Sequence, residues 1–168
     1  MTEQTTPQPA AQQPPAHPSA PPRPAGGRPE GRREHSPLPP RSSVDLSRIR
    51  FHPLDAELFN SVAEEAAKAV SFNKNLNKPS QLRRFYDELM LWESKVATQP
   101  EKFNDYLPFI RMINAKVAYA NGRKLVDNEF VRLMQHTLKH VTDASTLRTC
   151  KLFWEAFFGF YKKYRPSD

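Results

Sequence analysis

From Leu54 onward, apolar side chains return every third or fourth position, and no stretch alternates as a half-buried strand would. The pattern predicts an all-α fold, a compact bundle of about five helices. The first runs from about Asp55, the expected N-cap, to Phe72, with Leu58, Phe59, Val62, Ala66, Ala69 and Val70 on one face. The second opens at Pro79 or Ser80, because a proline is tolerated where first-turn amides have no partner, and reaches about Ala97 with Leu82, Phe85/Tyr86, Leu89, Trp92 and Val96 inward. Thr98 and Glu101 have capping-box spacing around Pro100. Pro108 removes a backbone bond and is expected to interrupt or kink the helix begun there, leaving a third helix of about Leu107 to Asn121. Asn121-Gly122 closes it, glycine taking the left-handed conformation. A fourth helix spans Asp127 to about Val141. A fifth, capped by Thr142 or Asp143, carries Phe153, Trp154, Phe157, Phe158, Phe160, Tyr161 and Tyr164 before Pro166.

Composition divides the chain before this pattern starts. Twelve of the seventeen prolines precede residue 44 and the first aromatic is Phe51, so the beginning has almost nothing to bury. Ordering it would cost about 1–2 kcal/mol of backbone entropy per residue without an apolar return. We therefore expect a disordered Pro/Arg-rich arm over residues 1–50 and a helical domain over 51–168. The N-terminus has neither the apolar run of a secretory signal nor that of a membrane span, which leads to the expectation of a cytoplasmic protein with no membrane contact. Cys150 is the only cysteine, so an internal disulfide or a Cys-based zinc knuckle is excluded.

The net charge is +7, and residues 44–168 hold twenty Lys+Arg against fifteen Asp+Glu, a balance that suits a polyanion. Only Gly122 and Gly159 fall in the helical part, which excludes phosphate-cradling glycine loops and, with them, nucleotide cofactors. His136 and His140 have a metal-binding spacing but no third ligand, and read as a solvated face. Cys150, between Leu147 and Trp154 in the helical register, reads as core rather than nucleophile. Glu64-Glu65, Asp87-Glu88 and Glu93 sit on polar faces. The chain is thus expected to be no enzyme, with no metal and no cofactor. The aromatics of the fifth helix read mainly as packing, with Tyr161 and Tyr164, beside Lys162, Lys163 and Arg165, the ones expected to face a partner. Basic residues gather at helix ends: Lys74 and Lys78, Arg83 and Arg84, Arg123 and Lys124. Helix N-termini favour anions, and with Leu82, Phe85 and Leu89 inward, Arg83 and Arg84 turn outward.

Three stretches resemble the small subunit of type III-A CRISPR effector complexes: Ser80-Gln81-Leu82-Arg83-Arg84-Phe85-Tyr86, Lys116-Val117-Ala118-Tyr119-Ala120-Asn121-Gly122-Arg123, and Phe153 through Tyr164. They stand in the family's order over about residues 55–165; the arm has no counterpart in it. The resemblance implies a non-catalytic helical subunit in antiviral defence, present in several copies along the guide RNA–target RNA duplex. Its partners would be both RNAs, a large polymerase-like subunit, backbone subunits and copies of itself. Arg83 and Arg123 match basic positions of the family's motifs, Lys116 falls where a basic residue is usual, and Arg84, Lys124 and Lys78 flank them. These six are the expected RNA-binding residues, contacting phosphates and reading no bases. The competing expectation is a protein-interaction module with no RNA contact. A helix-turn-helix DNA binder is disfavoured, because no helix carries a polar base-reading face beside a short turn.

Overall fold

A computed structural model describes residues 43–166, so the proline-rich arm lies almost wholly outside the described residues. Among those residues there is no strand. The helices are α1 (Ala63–Ser71), α2 (Pro79–Thr98), α3 (Phe103–Arg111), α4 (Ile113–Gly122), α5 (Asn128–Lys139) and α6 (Ala144–Tyr164). Met112 alone separates α3 from α4, and its own dihedrals are helical (φ −62°, ψ −20°). Together they form the third of the five helices expected, and the all-α bundle stands.

Local chemistry explains most boundaries. Pro79 opens α2 at the position where its missing N–H costs nothing. Asp127 caps α5 by accepting from the Phe130 amide, and Asp143 caps α6 in a capping box with Thr146. Four details differ from the sequence reading. Asp55 does cap a turn, accepting from the Glu57 amide at 2.9 Å, but it leads into a π-helical turn, Leu58–Val62, with Asn60 outside helical dihedrals (φ −114°, ψ −105°). Thr98 forms no capping box; its hydroxyl donates back to the carbonyls of Ser94 and Lys95. Pro108 lies inside α3, and the break comes four residues later at Met112, whose amide is shared between the carbonyls of Pro108 and Phe109. Gly122 remains helical, and the left-handed residue beyond α4 is Lys124, at φ 57°.

Burial follows the predicted stripes. Leu82, Leu89, Phe130, Leu133, Phe153, Trp154 and Phe157 are fully enclosed, each such side chain contributing about 1.5–3 kcal/mol relative to exposure. Helix α6 packs along α1 and α2, and α4 against α5. On α1 the buried face is nearly all alanine (Ala63, Ala66, Ala67, Ala69, with Val70), which lets the aromatic face of α6 come close. Trp154 sits between Phe130 and Phe157, at centroid distances of 5.6 and 4.9 Å, and its Nε1 donates to Thr137 Oγ1 at 3.2 Å.

Asn77, fully buried and left-handed at φ 56°, ties three connections together. Its amide donates to the Leu125 carbonyl (3.0 Å), its Nδ2 donates to the Val70 carbonyl (3.0 Å) and its Oδ1 accepts from the Asp127 amide (2.9 Å). Its carbonyl accepts from the Tyr161 hydroxyl at 2.6 Å. The loop from α1 to α2, the loop from α4 to α5, and α6 therefore meet at one residue.

Ahead of the helices, Val44, Ile49 and Phe51 are buried. His136 Nε2 donates to the Ile49 carbonyl at 2.9 Å, and Phe51 meets the His140 ring edge-on at 6.2 Å. Burial pushes the His136 pKa below its ordinary 6.5, outweighing the opposite pull of the Ile49 carbonyl. Because the unfolded chain then takes up the proton first, this site's stability is present above pH 6.5 and is lost as pH falls toward the lowered folded value. The thermal midpoint should drop as pH falls below 6.5, and His136→Gln, which retains a donor but does not titrate, should flatten that part of the profile.

Candidate nucleic-acid interface

Helices α2 and α4 lie side by side, and their packing decides which basic residues converge. On α2, Leu82, Phe85 and Leu89 are buried, which leaves Gln81 and Arg84 along the edge that faces α4. On α4, Ile113, Val117 and Ala120 point inward, so Met112, Lys116, Tyr119 and Arg123, three or four positions apart, form the adjoining row. The two rows bound an open groove of about 450 Å³ with Ala115 and Ala120 on its walls and Leu125 at the end.

Arg84, Lys116 and Arg123 are the expected residues that the fold brings together. Arg84 and Arg123 make no ion pair among the described residues, and the Arg123 guanidinium lies 5.7 Å from the centre of the Tyr119 ring. Lys116 is held by Glu88, Nζ to Oε1 2.6 Å, so the groove carries three cations with one carboxylate beside them. Both partners keep some exposure, 50% and 21%, and such a pair is worth at most about 1 kcal/mol, little hindrance to a competing phosphate.

The other three expected residues stand apart. Arg83 points along α2, with Nε 2.9 Å from Asp87 Oδ1 and its guanidinium 5.0 Å from the Tyr86 ring centre. Lys78 is the N-cap residue of α2, its side chain exposed. Lys124 follows Arg123 at the turn, where its amide donates to the Asn121 carbonyl (2.8 Å) and that of Leu125 to the Ala120 carbonyl (2.9 Å). That pairing is a Schellman ending, with lysine in the position glycine usually fills.

The aromatics correct one expectation. Tyr161 does not face outward: it is 1% exposed and hydrogen-bonded to Asn77. Tyr164 is half-buried, its hydroxyl donating to Glu64 Oε1 at 2.8 Å, and Lys163 joins the same carboxylate at 2.7 Å. Arg165 is buried as well, its guanidinium donating to the carbonyls of Asn73, Lys74 and Leu76. The tyrosine left in the open is Tyr119, 68% exposed. The sequence held a signal for it, because Tyr119 lies two residues from Val117, about 200° round the helix and off the buried face.

Elsewhere the chemistry is structural. The His136 and His140 rings, 4.4 Å apart, each hydrogen-bond a main-chain carbonyl, that of Ile49 and that of His136 respectively. No cluster of three metal-ligating side chains occurs among the described residues. Cys150 is fully enclosed, and burial pushes its thiol pKa well up, away from the thiolate a nucleophile needs. Among the described residues, no helix is long and apolar enough to cross a membrane.

Fold and site together define a small helical protein, strandless among the described residues, whose most chemically marked surface among them is an open cationic groove. The sequence model of the Csm2 Type III-A family matches residues 54–167, and the chain belongs to that family. It is a small subunit of the multi-subunit type III-A CRISPR complex, from a family of structural subunits. Searches among curated proteins and among solved structures returned no match.

Proposed function

We propose that this subunit stacks in several copies along the guide RNA–target RNA duplex and helps retain the target through phosphate contacts that read no bases. The reading rests on the convergence of Arg84, Lys116 and Arg123 from two helices onto one open groove. Each cation that neutralises a phosphate releases counterions, so such a surface binds by charge and shape. Backbone contacts carry no sequence information, which suits a complex whose specificity comes from guide pairing. Arg83, Lys78 and Lys124 extend the basic surface beyond the groove. In this reading the subunit does no chemistry; it acts with the guide RNA, a large polymerase-like subunit and backbone subunits, in the cytoplasm, in antiviral defence.

The test is the double variant Arg84→Ala/Arg123→Ala in the reconstituted complex. Target affinity should fall about tenfold, equally for two unrelated guide–target pairs, and the slope of log affinity against log salt should shrink by about 1–2. A loss confined to one sequence would sink the phosphate model. Unchanged affinity in an intact complex would assign the chain to assembly alone.

A further inference from the structure

A surface made only to hold a duplex backbone has no use for the apolar part of this groove. Phosphate oxygens are satisfied by arginine, lysine and amide donors, yet Met112, Tyr119 and Leu125 also line the groove, exposed by 49%, 68% and 37%. Tyr119 is the most exposed of the described large apolar side chains, and its hydroxyl makes no hydrogen bond among the described residues. In an A-form duplex the flat faces of the bases are covered by their neighbours, and only edges, 2′-hydroxyls and phosphates can be reached. An exposed ring beside a cation is instead the stacking platform of single-strand binders, where each base contributes a π-face whatever its identity.

We infer that the α2–α4 groove receives an unpaired nucleotide, its base stacked on Tyr119 beside Arg123 and its phosphate held by Arg84 and Lys116. This deepens the reading of the groove as RNA-facing and rests on it. The dimensions agree: about 450 Å³ lies within the roughly 300–1,000 Å³ of small-ligand sites, room for a nucleotide, whereas a duplex would meet only the cations at the rim. The depth comes from Ala115 and Ala120, small residues where α4 needs no bulk. The Arg123 guanidinium already lies over the ring, 5.7 Å from its centre, which marks a face that accepts a flat partner, and a base stacking there moves the guanidinium aside. Because the ring contacts a face and not an edge, the site tolerates any base, and sequence independence is preserved.

The experiment uses the full chain with a single-stranded oligoribonucleotide carrying one 2-aminopurine, and with the same strand paired to its complement. Stacking should quench the probe in the single strand. Tyr119→Ala should weaken single-strand binding about tenfold and abolish the quench, Tyr119→Phe should retain both, and duplex affinity should be the same in all three proteins. Arg84→Ala/Arg123→Ala should weaken both RNAs. If that arginine variant weakens both RNAs while Tyr119→Ala changes neither, or changes both equally, stacking is wrong and the phosphate reading survives. If neither variant alters any RNA binding, both readings fall together.

Discussion

Asn77→Ala is expected to lower folding stability by about 3–5 kcal/mol, because it strands one buried and one part-buried polar group and strains the backbone at once. The Val70 carbonyl would lose its Nδ2 donor in buried surroundings, and the Asp127 amide its acceptor where it is part-buried. Each orphaned group costs about 1–3 kcal/mol. The left-handed backbone adds about 1 kcal/mol, since alanine cannot use the local hydrogen bonds that let asparagine adopt it. Urea unfolding with an unchanged m-value measures the total. Asn77→Gly separates the parts, keeping the conformation while losing the same side-chain bonds, and should recover about 1 kcal/mol relative to alanine. The effect reaches the groove, because the Asn77 amide holds the carbonyl of Leu125, just beyond Arg123 in the chain. On the RNA-binding reading proposed for the groove, a protein weakened here should lose RNA affinity at temperatures well below its unfolding.

Trp154→Ala is expected to cost about 3–5 kcal/mol through the cavity it leaves. Its indole is fully enclosed, with Phe130, Phe153, Phe157 and Phe158 as ring neighbours, and α6 is the helix against which α1 and α2 both pack. Collapse into the space is restricted, because three helices would have to move together. Trp154→Phe should lose less, about 1–2 kcal/mol, for reduced volume and for the Thr137 hydroxyl left without its indole donor. Chemical denaturation of both variants checks the order, and equal losses would place the energy in the hydrogen bond rather than in packing.

The helices were legible because their burial follows a 3.6-residue period, which repeats often enough along α2, α5 and α6 to outweigh local exceptions. Asp127 and Asp143 were legible for a different reason, a short polar side chain directly before a periodic run. The features that escaped had no period. Val44 and Ile49 stand in a largely polar stretch, and they are buried by tertiary contacts, the segment bonding to Glu129 and His136 of α5 and to Glu65 of α1. Asn77 reads as an ordinary loop asparagine, since the partners of its side chain and carbonyl lie 7, 50 and 84 residues away along the chain. The site was half legible. Arg84, Lys116 and Arg123 could be named as basic positions, but their convergence depends on how α2 packs against α4, and Arg83 was separated from them by one residue of helical rotation. Tyr161 reads as exposed from Lys162 and Lys163, which follow it in sequence, while the α6 register turns it toward Asn77.

The alanine face of α1 has a consequence for how this protein can vary. Where two helices share the work of filling space, a gain of bulk on one can be matched by a loss on the other, and related sequences can trade volume across the contact. Here Ala63, Ala66 and Ala67 have no volume to give up, and any enlargement pushes the helix axes apart. Compensation has to come from within α6, among its own aromatic rings. Descendants of this sequence are therefore free to reshuffle rings along the last helix while the small residues of the first stay small.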